Sequence, residues 1–365
     1  MSSRIGEVLS VQLWGESHGP MVGVTLDGLP AGFILDEEAL AFFLRRRAAR
    51  DNDITTSRLE NDRPRIVSGL YRGRTTGYPL TALFENEETR SEDYAFLPDN
   101  PRPGHADYPA SVRSGGFDDL RGGGHHSGRL SLPYAFAGGV AKQILAAAGM
   151  EVLARLAAAG DVRDVDLDPA EPDLAGLRAA GGRDIPTING KAGEAMHAAI
   201  RCAKEAGDSL GGLVECVAIG VPAGLGAPYF NGVEAIAASH LFSIPAVKGV
   251  EFGSGFMAAL KRGSEYNDPY TLVNGHIRTV TNHAGGLLGG LSTGMPVVVR
   301  VAFRPTPSIG MEQQTVSLSC KKETKLRVKG RHDPCIAVRA VPVVESAMSL
   351  ALCDLWLQRR VNTAI

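Results

Sequence analysis

The sequence predicts a mixed fold of helices and strands in one large α/β or α+β unit. Short runs of β-branched and apolar residues alternate with segments of helical periodicity, and neither a linker nor a repeat of fixed period divides the chain. The length of 365 residues would also allow two to three domains. Glycine, at 44 residues, exceeds its usual share and is concentrated in loops between the apolar runs. This distribution is typical of an enzyme whose loops close over a small ligand.

Each predicted element rests on a local pattern. Runs rich in β-branched and apolar residues, bounded by turn residues, predict strands. Helices are predicted where apolar residues recur at helical spacing, as after Asp36, which can cap a helix that carries Glu37 and Glu38 in its first turn. Pro133 is compatible with the first turn of a second helix. The predicted strands are residues 7–13, 21–26, 64–71, 78–85, 212–219 and 296–303, and residues 244–252 are predicted to be a loop followed by a strand. The predicted helices are 36–50, 131–148, 193–206, 233–242 and 342–358.

Charge and cysteine content exclude several classes of protein. The 38 basic and 40 acidic residues give a net charge of -2, which offers no electrostatic footprint for nucleic acid or an anionic membrane surface. The five cysteines are widely spaced without a CxxC pair, which argues against a disulfide framework or a zinc knuckle. We expect neither a signal sequence nor an apolar segment of membrane-spanning length. The chain is therefore predicted to be soluble and cytoplasmic. The apolar residues of its last predicted helix, among them Val344, Met348 and Leu352, could face a core or a neighbouring subunit, and we expect the core.

Histidines in polar, glycine-rich loops are the candidate catalytic residues. His18 lies between a serine and a glycine in the turn at 15–20, where we expect it to be exposed and able to donate a proton. A metal centre could use such residues, but the sequence has no HExxH pattern, and the adjacent His125 and His126 are poorly placed for joint chelation. We therefore predict no metal and favour acid–base chemistry. The loop histidines are His18, His105, His125, His126, His283 and His332.

Arginines accompany histidines in three of the same regions, at Arg47, Arg129 and Arg331. Arg47 could equally belong to the solvated basic end of the helix at 36–50. Histidine can protonate a leaving group while arginine holds negative charge. Glycine density just before the helix at 131–148 favours binding of phosphate by backbone amides, although the pattern is neither GxGxxG nor a Walker loop. Together these residues indicate a phosphorylated carboxylate as the ligand.

Five sequence blocks resemble the signatures of the chorismate synthase family and occur in that family's order. They are Gly-Glu-Ser-His-Gly-Pro at 15–20, Arg-Pro-Gly-His-Ala-Asp-Tyr at 102–108, Gly-Val-Pro-Ala-Gly-Leu-Gly at 220–226, Thr-Asn-His-Ala-Gly-Gly-Leu-Leu-Gly-Gly at 281–290 and Lys-Gly-Arg-His-Asp-Pro-Cys at 329–335. The resemblance implies one α+β domain over residues 1–365, with a β-α-β sandwich core and long glycine-rich active-site loops.

The resemblance also implies a reaction and its requirements. Members of this family convert 5-enolpyruvylshikimate 3-phosphate to chorismate by 1,4-anti elimination of phosphate, using reduced FMN without net redox change. A homotetramer is implied as well. We expect an external flavin reductant, with NADPH as an indirect source of electrons, because the sequence shows no additional reductase domain. A substrate with two carboxylates and a phosphate agrees with a local arginine cluster in a nearly neutral protein.

Individual roles follow from the matched positions. His18 resembles the acid near the departing phosphate, and His105 resembles the histidine that protonates the reduced flavin. Asp333, together with Ser17, resembles the group that assists deprotonation of the substrate. Contacts to substrate anions or flavin are implied for Arg47, Arg129 and Arg331, and FMN-binding positions for His125, His126, Ser127, Gly289, Arg304, Pro305, Thr306, Pro307, Ser308 and Arg331.

The chain departs from the family pattern at three places. Residues 124–131 read Gly-His-His-Ser-Gly-Arg-Leu-Ser where Gly-Arg-Ser-Ser-Ala-Arg-Glu-Thr is common. Asp53 stands where an arginine is expected, and Pro245 where an asparagine often contacts flavin. We hypothesise that His125 makes part of the usual arginine contact, with an affinity that rises as the imidazole gains a proton. The alternative function is a flavin- or phosphoester-binding protein without lyase activity, against which the joint presence of the catalytic residues argues.

Overall fold

The computed structural model describes residues 3–49, 54–55, 60–87, 91–328 and 332–362. The strands are β1 (Arg4–Ile5), β2 (Ser10–Gly15), β3 (Met21–Asp27), β4 (Arg65–Ser68), β5 (Leu70–Tyr71), β6 (Arg74–Thr75), β7 (Leu80–Glu85), β8 (Glu151–Ala159), β9 (Val162–Arg163), β10 (Gly212–Ile219), β11 (Val247–Phe252), β12 (Tyr270–Val273), β13 (His276–Thr279), β14 (Leu287–Leu288), β15 (Leu291–Ser292), β16 (Val297–Phe303), β17 (Glu312–Ser317) and β18 (Lys322–Arg327). The α-helices are α1 (Glu37–Arg47), α2 (Asp107–Ser114), α3 (Ser131–Ala147), α4 (Leu174–Ala180), α5 (Gly190–Glu205), α6 (Val233–Phe242), α7 (Gly263–Tyr266) and α8 (Ala337–Asn362).

Two five-stranded antiparallel sheets form most of the β structure. The first has the order β1-β2-β3-β7-β4, and the second has the order β11-β16-β10-β8-β9. In β7, alternate residues Leu80, Ala82 and Phe84 are buried, as expected for a strand with one face on a core. β4 and β7, which lie within the predicted strands 64–71 and 78–85, pair with each other.

Helices α3 and α8 link the two sheets. α3 packs on β3 of the first sheet and on α8, and α8 packs on β8 and β10 of the second sheet. Gly138 permits this close approach of the helices, because a Cβ at that position would overlap Ser346. The residues predicted to form the apolar face of the last helix, among them Val344, Met348 and Leu352, are buried, which confirms their predicted place in the core.

Helix α8 also corrects two expectations. Its segment Ala337–Arg359 is long and apolar enough to cross a membrane by length and composition, whereas no such segment was expected. Its most apolar stretch is 94% buried in the protein, as in a core helix. The helix begins at Ala337, so Pro342 lies inside it and not at its start. Because proline has no amide hydrogen, the carbonyl of Val338 cannot receive the usual helical bond from residue 342.

The other elements agree with the predictions to different degrees. β10 and α6 have the predicted bounds. The stretches at 86–124 and 253–290 lie outside every predicted helix and strand, yet the first contains α2 and the second contains the β12–β13 hairpin. β8 and the β17–β18 hairpin were not predicted. β8 is rich in alanine and leucine, which favour helix, but burial between β9 and β10 decides its conformation.

Candidate active site

Two adjoining cavities lie where the loops between these elements meet. The smaller has a volume of about 230 Å³ and the larger about 620 Å³. Part of the lining is common to both, so two ligands bound there would be neighbours. The shared residues are His105, His126, Ser131, Ile244, Pro245, Ala246, Arg304 and Val343.

The smaller cavity is rich in charged side chains. Among the described residues, five arginines and three acidic residues line it. The excess of positive charge favours an anionic ligand, because guanidinium groups form strong paired hydrogen bonds with carboxylates and phosphates. The arginines are Arg47, Arg102, Arg129, Arg304 and Arg339, and the acidic residues are Glu60, Asp62 and Asp333.

Arg47 enters the site because it is the last residue of α1 and its side chain is buried. It donates from Nε to Oγ of Ser131 (3.1 Å) and from Nη2 to the carbonyl of Gly128 (3.0 Å). Its Nη1 donates to Asp62 at 3.2 Å. Arg47 therefore joins α1 to the start of α3, and the alternative of a solvated helix end is wrong for this residue.

Arg129 lies on the opposite side of Asp62. Its Nη1 donates to the Asp62 carboxylate. Its Nε donates to Oδ1 of Asn86 at 3.0 Å, and its Nη2 donates to the carbonyl of Glu85 at 3.0 Å. Asp62 thus bridges the two arginines that the sequence suggested for substrate binding.

Arg339, in the first turns of α8, is a residue that the sequence reasoning missed. Its Nη1 donates to Asp333 at 2.6 Å and its Nε donates to the carbonyl of Arg47 at 2.9 Å. The only feature of the sequence that could have indicated it is a single arginine close to the start of a largely apolar helix. It holds Asp333 next to the arginine cluster.

The charges of this cluster influence one another. Burial and, after it, the positive charge of Arg339 lower the pKa of Arg47 to about 9, although Asp62 opposes the shift. Burial alone would raise the pKa of Asp62, but Arg47 and Arg129 hold it below its ordinary value. At neutral pH the arginine is positive and the aspartate negative. An additional anion in the cavity would relieve the repulsion among the arginines.

His18 and Ser17 lie in the turn after β2. His18 is 8% exposed and Ser17 is fully buried, so the expected exposure of His18 is wrong. The His18 ring packs edge-on against Tyr94 at 5.2 Å. On another side lies Gly122, where a Cβ would be 2.5 Å from Cδ2 of His18 and 2.9 Å from Oγ of Ser17. Gly122, Ser17 and Tyr94 all line the smaller cavity.

His105 is held by the buried carboxylate of Asp107. Its Nδ1 lies 2.6 Å from Oδ1 of Asp107, the first residue of α2. Arg102 donates to the same carboxylate through Nε and Nη2, both at 2.8 Å. Burial alone would raise the pKa of Asp107, but hydrogen bonds from Arg102 and His105 hold it far below its ordinary value. His105 thus contacts a permanently charged carboxylate on the border of the two cavities.

The segment from His125 to Ser127 serves both cavities. His125 lines only the larger one, with its Nδ1 2.9 Å from the Gly15 carbonyl and its Nε2 2.7 Å from Oγ of Ser3. His126 lines both, and burial followed by the charge of His125 lowers its pKa. Ser127 lines the smaller cavity and accepts a hydrogen bond from the Arg129 amide at 3.3 Å.

The turn at 304–308 forms another wall. Arg304, Thr306, Pro307 and Ser308 line the smaller cavity. Oγ1 of Thr306 is buried and has no hydrogen-bond partner among the described residues, as expected of a group that awaits a ligand.

Several other predicted positions lie elsewhere. His18 and Pro305 are absent from the described lining of both cavities, and so is Gly289, which lies in the connection between β14 and β15. His18 packs directly behind Tyr94 and Gly122, which do line the smaller cavity. Arg331 and Asp53 fall outside the described residues. Within the described ranges, no group of three or more histidine, cysteine or acidic residues is arranged to hold a metal ion.

Comparison with known proteins gives one consistent family. Residues 9–357 match the family model described as chorismate synthase. A chorismate synthase of Pyrococcus abyssi is 48% identical over 356 residues, which cover 98% of each chain. One of Dehalococcoides mccartyi is 42% identical over 358 residues, covering 98% of this chain and 97% of the relative.

A solved structure agrees with these sequence matches. A crystal structure of chorismate synthase aligns with a TM-score of 0.77 and 26% identity, covering 97% of this chain and 93% of the other. The mixed helix and sheet content predicted from the sequence is thereby confirmed. The predicted reaction and lyase class are confirmed at the level of the family, whose known activity is the FMN-dependent formation of chorismate in the shikimate pathway. The chain belongs to the chorismate synthase family.

Proposed function

We propose that the two adjoining cavities form the active site for elimination of phosphate from 5-enolpyruvylshikimate 3-phosphate. The observation that carries this proposal is the buried arginine cluster of the smaller cavity, which opens beside a larger space across shared walls. The substrate has two carboxylates and a phosphate, and the positive excess of the smaller cavity matches it. We assign the substrate to the smaller cavity and reduced FMN to the larger one and the shared wall.

Arg47, Arg129 and Arg339 bind the anionic groups of the substrate in this proposal, together with Arg331. Asp62 and Asp333 hold the described arginines in place before the substrate arrives. Such preorganisation lowers the cost of binding, because the side chains are ordered in advance.

The residues around the larger cavity fit a flavin. Its lining combines apolar side chains such as Leu13 and Phe242 with the basic side chains Arg4 and Lys248, a combination suited to an aromatic ring with a phosphate. The buried Thr306 hydroxyl and the segment from His125 to Ser127 provide polar contacts nearby. When bound, reduced FMN supplies electron density transiently to the allylic system of the substrate.

The proton transfers belong to residues that line the smaller cavity or pack directly behind its lining. His18, buried between Tyr94 and Gly122, donates a proton to the departing phosphate. His105 holds a proton for the flavin. Asp333, fixed by Arg339, and Ser17 assist removal of the substrate proton. Burial of His18 and Ser17 excludes water from that side of the reaction.

Further features of the family extend the proposal. We propose a single domain over residues 1–365 with the two helices sandwiched between the sheets, which the chain of contacts through α3 and α8 supports. A homotetramer would cover exposed apolar side chains such as Phe230, Phe256 and Leu272. We also propose a cytoplasmic location, an external reductant fed indirectly by NADPH, and flavin contacts at Gly289 and Pro305.

The decisive experiment is an anaerobic assay with purified protein, chemically reduced FMN and 5-enolpyruvylshikimate 3-phosphate, following phosphate release and chorismate absorbance. His18→Ala and His105→Ala are each expected to lose about 10²-fold or more of the turnover, as is usual when a general acid is removed. His276→Ala, in the exposed β12–β13 hairpin, is the matched control and should retain it. Wild-type protein that binds both ligands without turnover would support the alternative of a binding protein.

A further inference from the structure

We infer that Asp107 is a positioning residue that fixes His105 in the tautomer with hydrogen on Nδ1. This inference rests on the proposed role of His105 as the proton-holding group beside the flavin. Asp107 itself lines neither cavity within the described part of the chain, so it would act through the histidine.

The short contact between the two side chains determines the position of the hydrogen. Nδ1 of His105 lies 2.6 Å from Oδ1 of Asp107. The carboxylate is ionised and has only acceptor atoms, so two lone pairs would repel each other at this distance unless Nδ1 carried the hydrogen. Nε2 is therefore the ring nitrogen that can accept a proton in neutral His105.

The carboxylate cannot turn away from the histidine, because its other lone pairs are occupied. Oδ2 accepts from the amide of Arg102 at 3.0 Å and from its Nε at 2.8 Å, and Oδ1 accepts from its Nη2 at 2.8 Å. The side chains of Asp107 and Arg102 are 1% and 2% exposed. A buried, fully paired carboxylate of this kind is rigid.

Gly123 restricts the ring, and Ser308 anchors the arginine that pairs with Asp107. On one side, Gly123 lies so close that a Cβ would be 3.0 Å from Cε1 and 3.1 Å from Nε2 of His105. On the other, Arg102 donates from Nη1 to Oγ of Ser308 at 3.1 Å, which connects the ion pair to the turn at 304–308. Arg102, though it lines the smaller cavity, is thus committed to Asp107 and Ser308.

Nη2 of Arg102 lies 3.1 Å from Nδ1 and 3.3 Å from Nε2 of His105. Because a guanidinium nitrogen can only donate, it can bond only the ring nitrogen without hydrogen, which is Nε2 in this arrangement. His126 on the neighbouring loop adds a third titratable group that interacts with the ring. A neutral ring with a defined accepting nitrogen is what a group that repeatedly takes and returns a proton requires.

The first test uses the resting protein and is independent of turnover. Solid-state NMR of protein labelled with ¹⁵N-histidine at neutral pH, assigned by comparison with His105→Gln, distinguishes protonated from unprotonated ring nitrogens. We expect Nδ1 of His105 to be protonated and Nε2 to be bare. The opposite tautomer would overturn the inference, whether or not the protein turns out to be active.

The second test is Asp107→Asn. The new side-chain amide can be placed in two ways. Its nitrogen is a donor and would face two Arg102 donors at the Oδ2 position but only one at the Oδ1 position, so we expect the nitrogen at the Oδ1 position, facing His105. The histidine would then accept on Nδ1 and carry its hydrogen on Nε2. The spectrum should show this reversal, and turnover should fall by about 10²- to 10⁴-fold, as when the orienting aspartate of a serine protease triad is replaced.

Controls separate positioning from loss of structure. Asp354→Asn removes a carboxylate that is equally buried but bonds the amides of residues 7–9, and it should alter neither the His105 spectrum nor turnover per folded molecule. In a His105→Ala background, Asp107→Asn should cause no further loss of turnover. If Asp107→Asn reduced turnover in that background as much as in the wild type, Asp107 would not act through His105. If Asp107→Asn fails to fold, the wild-type spectrum still decides the question.

Discussion

Arg46 and Arg47 are consecutive residues of α1 whose charges have different surroundings. Arg46 donates to Glu345 of α8 at 3.0 and 2.6 Å, and Lys142 bonds the same carboxylate. Burial alone would lower the pKa of Arg46, but Glu345 raises it above its ordinary value. The pKa of Arg47 is lowered instead, because burial and neighbouring arginines outweigh its acidic partners. A buried arginine matched by a buried carboxylate stabilises the core, whereas one crowded by other arginines beside a cavity is suited to a ligand.

Arg46→Ala is expected to have the largest effect, a loss of stability. It leaves the Glu345 carboxylate, whose side chain is 1% exposed, with one cation fewer. Breaking a buried ion pair from one side commonly costs about 3–5 kcal/mol, so the free energy of unfolding should fall by that order. Denaturant titration measures it, with the exposed neighbour Arg45→Ala as control. A stable variant with lost turnover would reverse the roles that we assign to the two arginines.

Arg47→Ala should reduce turnover more than stability, in contrast to Arg46→Ala. Turnover is expected to fall by about 10²- to 10³-fold, the usual loss when one preorganised donor to a reacting anion is removed. The denaturation midpoint should fall less than in Arg46→Ala, because relief of the repulsion with Arg339 and Arg129 partly offsets the lost bonds to Asp62, Ser131 and Gly128. Arg47→Lys should restore only part of the activity, because an ammonium cannot form the paired hydrogen bonds of a guanidinium. Steady-state kinetics under anaerobic conditions provides the measurement. Unchanged kinetics in Arg47→Ala would remove this residue from the site.

The pH dependence of stability sharpens the comparison further. Burial alone would raise the pKa of Glu345, but Arg46 and Lys142 lower it from 4.5 to about 2. The folded-state value is depressed, so the contribution of Glu345 is complete above about pH 4.5 and is lost as pH falls towards 2. The difference in stability between wild type and Glu345→Gln should therefore shrink over this window. A difference independent of pH would mean that the carboxylate charge is not what stabilises the core.

Glycines extend the same contrast between core and cavity. Gly122→Ala places a methyl group against His18 and should reduce turnover more than stability. Gly138→Ala overlaps Ser346 between α3 and α8 and should cost about 1–3 kcal/mol of stability, as overpacking usually does. Gly116→Ala, with a similar left-handed backbone but open surroundings, controls for backbone strain. Equal loss of activity in Gly116→Ala would show that steric contact with His18 is not the cause.

The smallest effect is expected at the surface. Glu151 and Arg178 form an ion pair at 2.6 Å with side chains that are 33% and 54% exposed. Solvent screens such pairs, so Glu151→Gln should be indistinguishable from wild type in the same denaturant titration. If Glu151→Gln lost as much stability as Arg46→Ala, burial would not be what makes an ion pair stabilising in this protein.

Local patterns were sufficient for some elements and inadequate for others. β10 and α6 could be predicted because their apolar runs are bounded by glycine and turn residues. β8 could not, since its alanines and leucines favour helix until two neighbouring strands bury it. The β17–β18 hairpin has a mostly polar sequence, which carries little periodic signal.

The candidate site, too, was predictable from the sequence only in part. Histidine and arginine positions within distinctive motifs, such as His105 and Arg129, were available from the sequence and lie at the cavities. Asp107 and Arg102 were within a recognised block, but their pairing with each other and with His105 needed coordinates. Arg339 contacts Arg47, 292 residues earlier, and no local pattern reports a contact at that separation.

The position of α8 near the C-terminal end of the sequence has a consequence for biosynthesis. This helix supplies Arg339 to the cavity, and its Asp354 accepts hydrogen bonds from the amides of Glu7, Val8 and Leu9. A ribosome that adds about 5–20 residues per second needs on the order of tens of seconds to pass from Arg47 to Arg339. During that interval the nascent chain exposes the apolar faces that α8 later covers, so chaperones have a defined period in which to act on it.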